Sequence, residues 1–231
     1  MKPGEAYEKA KNLREFIKDL QRKIHSTKLC PDSLMKATTL LCSITGIEYN
    51  TTSFPNLENT SKFKDMPGST PVNLAEALIW KLGKWSTYKR FAKNFHTEGL
   101  KVSDDGGVVL SAFAKHLQDT SNPIYDQHAL RALWAITNFE NDEKERFKSL
   151  LFDGAGKWKP AGSGDKEGKC YESFSSKISV ICADNKLCSK KLDQLLMPLG
   201  QAIKKVTSKI AERTKTSDFV CFSNLISQEI D

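Results

Sequence analysis

The chain has 231 residues, 39% apolar and 27% charged, with a formal net charge of +7. That balance excludes an intrinsically disordered chain, and no apolar run reaches the roughly 18 to 20 residues needed to cross a bilayer. The excess of Lys and Arg suits a partner bearing phosphates, whose binding would weaken as salt is added.

In chain order, Gly4 to His25 is expected to be helical, because Tyr7, Ala10, Leu13, Ile17, Leu20 and Ile24 recur at three- and four-residue spacing. The stretch Met1 to Lys28 is basic and amphipathic, with no continuous apolar centre or small-residue cleavage site. It reads as folded structure rather than a secretory signal, and a cytoplasmic location without membrane association is the expectation. Asp32 is placed to cap a second helix carrying Leu34, Met35, Leu40, Leu41 and Ile44, with Gly46 as its stop. Glu48 to Val72 reads as a long loop, with a weak strand signal within Gly46 to Thr52.

Asn73 to Phe95 is a helical block that Gly83 can divide in two. Leu74, Ala77, Leu78, Lys81 and Leu82 share one face, continued by Trp85, Tyr88, Phe91, Ala92 and Phe95. After a glycine-containing turn, Val108 to Leu117 forms a short apolar helix. Asp119 to Tyr125 is a loop, Asp126 leads a helix to Asn138, and helix resumes from Asn141 to Phe152. Gly154 to Lys169 is rich in Gly and Lys and reads as flexible. Lys177 to Cys182 is the best strand signal. Leu187 to Thr214 is helical, with Pro198 as a kink. The expected architecture is mainly α: an N-terminal part (1–71), a helical core (72–152), a flexible insertion (153–186) and C-terminal helices (187–231).

Six cysteines, at positions 30, 42, 170, 182, 188 and 221, include no Cys-x-x-Cys pair. Cys170, Cys182 and Cys188 are widely spaced and lack a neighbouring histidine, so buried thiols are expected rather than a zinc or iron–sulfur site. No cofactor motif is present, and none is expected.

The chemistry-bearing stretch is Tyr125-Asp126-Gln127-His128-Ala129 followed by Arg131. An aspartate at a helix start can cap it, worth about 1 kcal/mol, and the cap bonds and helix dipole favour a carboxylate there. A fixed carboxylate also suits chemistry that builds positive charge on a sugar carbon. Upstream, Trp80-Lys81-Leu82-Gly83-Lys84-Trp85-Ser86-Thr87-Tyr88-Lys89-Arg90 alternates aromatic rings with cations, as a surface for a flipped base and its backbone would. The same residues equally describe an apolar core with a wet basic face.

Val108-Val109-Leu110-Ser111-Ala112-Phe113, then Asp126 with His128 and Arg131, resembles the helix-hairpin-helix DNA glycosylases over about residues 72–138. The resemblance implies two helical lobes flanking a cleft, with Asp126 as the catalytic carboxylate. Tyr125, Trp80, Trp85 and His128 would lie near the base. Lys84, Lys89, Arg90, Lys93 and Arg131 would meet DNA, and Arg131 has the alternative of bracing local structure. The hairpin departs from the family's Leu-Pro-Gly-x-Gly: here it reads Ser103-Asp104-Asp105-Gly106-Gly107, and the loop before Asp126 is longer. Asp104 falls near the lysine of the bifunctional members, so the implied enzyme is monofunctional. It would excise a damaged or modified base, including those of invading (phage) DNA, without a cofactor or metal. The alternatives are a non-catalytic helical module that binds DNA or protein and, more weakly, a metal-dependent nuclease.

Overall fold

The computed structural model describes residues 3–47, 66–102, 107–159, 165 and 168–227. These residues form ten helices and no strand beyond an isolated bridge between Phe152 and Trp158. Most of the expected loop from Glu48, most of the weak strand signal beside it, and hairpin residues 103–106 lie outside the described residues.

α1 (Pro3–His25) buries Leu13, Phe16, Ile17 and Leu20. α2 (Pro31–Thr45) begins two residues before its expected start: Cys30 occupies the cap, its N–H donates to Ser33 Oγ at 2.8 Å, and Asp32 lies within the first turn. Gly46 ends α2 in the left-handed region at φ 62°, as its missing side chain permits.

α3 (Leu74–Lys81) and α4 (Trp85–His96) are separated at Gly83, and Asn73 caps α3 by accepting the Glu76 N–H. α3 is inverted relative to the expected apolar face. Leu74 is 90% exposed, and Leu78 and Leu82 are exposed with it. The buried residue is Glu76, which accepts from the Val72 N–H and the Tyr88 hydroxyl. The helical spacing was legible; which side met the protein was decided by this polar anchor.

α5 (Val108–Gln118) packs on α4, while its Val108 and Ala112 also join the main core. α6 (Gln127–Ile136) is followed by α7 (Asn141–Leu151), α8 (Lys169–Asn185), α9 (Ser189–Thr214) and α10 (Asp218–Ile226). α9 is the axis of the core, covered by α6, α2, α10 and α1. Leu192, Leu195, Leu196, Leu199, Ala202 and Ile203 are all inaccessible to solvent, and α9 continues through Pro198 for 26 residues.

The segment expected to be a flexible insertion is ordered where it is described. Asp153 Oδ1 accepts from the Ala155 and Lys157 N–H groups, which folds a tight turn and stacks Trp158 on Phe152 at 4.1 Å between centroids. The strand expected at Lys177–Cys182 is instead part of α8. Alternation of Ile178, Val180 and Cys182 imitates a strand, but Cys170, Tyr171, Phe174, Ile178 and Ile181 bury a helical face.

α6 and α9 meet at Gly200. A Cβ built on this glycine would lie 2.0 Å from the carbonyl oxygen of His128. Helix propensity alone favours alanine there by about 0.5–1 kcal/mol. Gly200→Ala is nevertheless expected to destabilise the fold by about 1–3 kcal/mol or more, because two backbones must separate. Urea unfolding measures the sign directly.

Candidate functional site

Pro123 is buried, and the loop from Asp119 to Tyr125 delivers Asp126 to the start of α6. Three side chains hold this loop. His116 Nδ1 lies 2.7 Å from Asn122 O, Ser189 Oγ donates to Thr120 O at 2.8 Å, and Asp193 Oδ2 accepts the Ile124 N–H at 3.1 Å. Asp119 also accepts from the Ser121 N–H, tightening the turn from within. A loop fixed at alternate residues holds the position of the carboxylate that follows it.

Asp126 is half-buried. Its Oδ1 accepts from the N–H groups of His128 and Ala129, each at 2.7 Å. No protein group donates to Oδ2 among the described residues. The cap therefore fixes one oxygen and leaves the other available, so capping and chemistry do not compete for the same atom.

Two residues expected to face DNA are internal. Arg131 is fully buried, donates to Gly200 O at 3.0 Å and lies 3.1 Å from His128 Nδ1. Its guanidinium sits 4.1 Å from the centre of the Trp158 ring. Burial, opposed by Asp126 and Asp218, pushes its pKa down to about 10. Nε and one terminal nitrogen have no hydrogen-bond partner among the described residues. Arg131 is thus an internal brace and reaches no DNA phosphate, which corrects the phosphate-contact expectation.

Tyr125 is 3% exposed, donates its hydroxyl to Asp165 at 3.1 Å and meets Tyr171 and Phe174 edge-on. Burial, reinforced by Asp165, raises its pKa. It offers no open ring face to a base, which corrects that expectation.

His128 is half-buried beside Asp126. Burial is the main cause lowering its pKa, assisted by the charges of Arg131 and Lys204 and opposed by Asp126 and a bond to Gly200. A neutral imidazole can accept from Arg131, consistent with their 3.1 Å separation.

The aromatic and basic candidates lie on α3 and α4. Trp80 is 57% exposed. Trp85 is half-buried, tilted against Tyr88, and donates its ring N–H to Ser69 O. Lys84, Lys89, Arg90 and Lys93 are all exposed. The Arg90 guanidinium lies beside Gly107 at the start of α5, about where a Cβ on that glycine would touch it at 3.5 Å. Among the described residues no extensive packing joins α3 or α4 to α6, so the fold does not gather these residues around Asp126 by direct contact.

No sequence-family profile, characterised protein or solved structure matches the chain.

Sequence reasoning missed Asp193. It is 3% exposed, and its Oδ1 has no hydrogen-bond partner among the described residues. Burial, with a further push from Asp126 and against the Ile124 bond, pushes its pKa up to about 7. The available signal was an acid inside the Leu192, Leu195, Leu196 stripe, seven residues before Gly200. Such spacing puts both on one helical face. The cysteines form no disulfide; Cys170 and Cys221 are buried, Cys30 and Cys188 exposed, and burial pushes the Cys170 thiol up to about 12. Among the described residues no group of three His, Cys, Asp or Glu could hold a metal ion. A groove of about 1000 Å³ lies at the other end of α6, lined by residues including Gln21, Arg22, His25, Thr137 and Lys177. None of the candidate residues lines it.

Arg131→Ala should cost about 3 kcal/mol or more, through an emptied cavity and an unpaired Gly200 carbonyl. A surface residue would cost no more than about 0.5 kcal/mol, so chemical denaturation separates the two roles. For Asp193 the unfolded carboxyl ionises near its ordinary value of about 3.9, whereas the folded one keeps its proton to about 7. The folded state therefore binds more protons across that window, and stability falls as pH rises through it. Asp193→Asn keeps an oxygen for the Ile124 N–H but cannot ionise. Thermal melts should show a flatter pH dependence for the variant and a higher Tm than the parent above about pH 7. Parallel curves would show that Asp193 does not retain its proton.

Proposed function

We propose that the chain is a monofunctional DNA glycosylase that excises a damaged or modified base, including modified bases of invading (phage) DNA, with Asp126 as the catalytic carboxylate. The observation that carries this reading is the division of labour within Asp126: Oδ1 is held by two backbone N–H groups, and among the described residues no protein group donates to Oδ2. Cleavage of an N-glycosidic bond builds positive charge at the sugar carbon. A carboxylate oxygen whose position is fixed before the substrate arrives stabilises that charge without reorganising. His128, half-buried two residues on in the first turn of α6, is the group best placed to contact a base or the attacking water.

In this reading α3–α5 form one lobe and the helices around α9 the other, as in a helix-hairpin-helix glycosylase with a degenerate hairpin. Lys84, Lys89, Arg90 and Lys93 meet the duplex backbone and Trp80 and Trp85 stand near the everted base. The protein acts in the cytoplasm and needs no cofactor. No described helix is long and apolar enough to cross a membrane.

The test is release of free base from naturally modified DNAs, followed by mass spectrometry. Asp126→Asn retains a capping side chain and should lower release by on the order of a hundredfold or more, with circular dichroism unchanged. The product should be an abasic site in an uncut strand. Equal activity in the Asn variant removes Asp126 from the chemistry.

A second reading, a non-catalytic helical module that binds DNA or protein, has its own support. Tyr125 and Arg131 serve the core, and no extensive packing brings Trp80 and Trp85 to Asp126. Tight binding of modified DNA by the parent with no base released would favour it.

A further inference from the structure

Among the described residues, six of the eleven large apolar side chains exposed by more than two-fifths fall within the short stretch 66–82: Met66, Val72, Leu74, Leu78, Trp80 and Leu82. They are not scattered. Leu74, Leu78 and Leu82 stand four residues apart along α3 and its C-cap, and form one outward stripe. Glu76 fixes this orientation from the opposite side by holding the Val72 N–H and the Tyr88 hydroxyl. The stripe is therefore held outward by the fold. Between Met66 and Thr97 the chain carries Lys81, Lys84, Lys89, Arg90 and Lys93, all exposed, against a single carboxylate, the buried Glu76.

We infer that this face docks on an anionic phospholipid bilayer. The leucines project from the surface (Leu74 is 90% and Leu82 64% exposed), and a bilayer accepts projecting aliphatic groups without a matching cavity. Trp80 on the flank suits the headgroup level. Lys81 and Lys84 beside the stripe suit anionic headgroups, each cation contributing attraction that salt screens. A second copy of the chain would bring like charges together. Nucleic acid gains from stacked rings and cations, and aliphatic side chains offer no ring to stack. The inference goes beyond the proposed glycosylase: its decisive residues, Leu74 and Leu78, are assigned no part in DNA contact, whereas Trp80 and Lys84 are shared with that reading, so bilayer and duplex would compete for this face.

The experiment is co-sedimentation of the full chain with vesicles of phosphatidylcholine containing about 30% phosphatidylglycerol, with Trp fluorescence read in parallel. Binding is expected, with a blue-shifted emission, and is expected to vanish on pure phosphatidylcholine vesicles and weaken in high salt. Leu74→Ser with Leu78→Ser should weaken binding about tenfold or more per leucine. Both positions face solvent, so circular dichroism and duplex-DNA affinity should be unchanged. Failure to bind the anionic vesicles overturns the inference, as does equal binding by the double variant, which would reduce the effect to charge alone. Capture of an acidic amphipathic peptide by a chain that ignores vesicles overturns it in favour of a protein partner. Loss of base release in the Asp126 variant bears on none of these outcomes, so the two readings fail separately.

Discussion

The approach of α6 to α9 at Gly200 is the constraint on which the rest of the core depends. No side chain fits between the His128 carbonyl and the Gly200 backbone, so the two helices touch main chain to main chain. At that separation Arg131 can donate to Gly200 O while stacking on Trp158. Two and three turns earlier on α9, Asp193 and Ser189 reach the loop that leads into α6. A wider spacing would loosen all of these contacts together, and Asp126 would lose the frame that positions it.

That frame explains the unusual polar content of the core. Arg131, Asp193, Asp218 and Asn185 are buried among leucines and phenylalanines. Each spends at least one bond on backbone outside its own helix, or on a group that does: Asp218 accepts the Trp158 N–H, and Asn185 accepts the Leu29 N–H across 156 residues of sequence. Buried polar groups bonded in this way specify which segments lie together, which apolar contacts alone do not. Asp193 remains only half satisfied, and its burial beside Asp126 favours the protonated form over an unpaired buried charge.

Much of the helical layout was legible in the sequence. The Asp126 cap, the Gly83 break and the Gly46 stop follow from local chemistry that a short window contains. What was not legible depended on distant partners. Nothing near Arg131 announces that Gly200 and Trp158 will enclose it, and nothing in the α3 stripe shows that Glu76 is the buried member. Lys177–Cys182 misled because a six-residue window cannot separate two periodicities that a longer one resolves. At the candidate site the capped aspartate was readable, whereas the internal roles of Tyr125 and Arg131 and the existence of Asp193 were not.

The bonds that build the Asp126 loop span long stretches of chain: Arg131 to Gly200, Ile124 to Asp193 and Thr120 to Ser189 each cross 69 residues. During synthesis the loop emerges well before the helix that shapes it. A ribosome-bound chain ending before α9 has the carboxylate but none of the α9 groups that aim it, and its α6 stripe stays uncovered. For a protein made of helices, whose contacts are commonly local, this places assembly late. The arrangement of acid, imidazole and guanidinium therefore forms only after α9 has been translated.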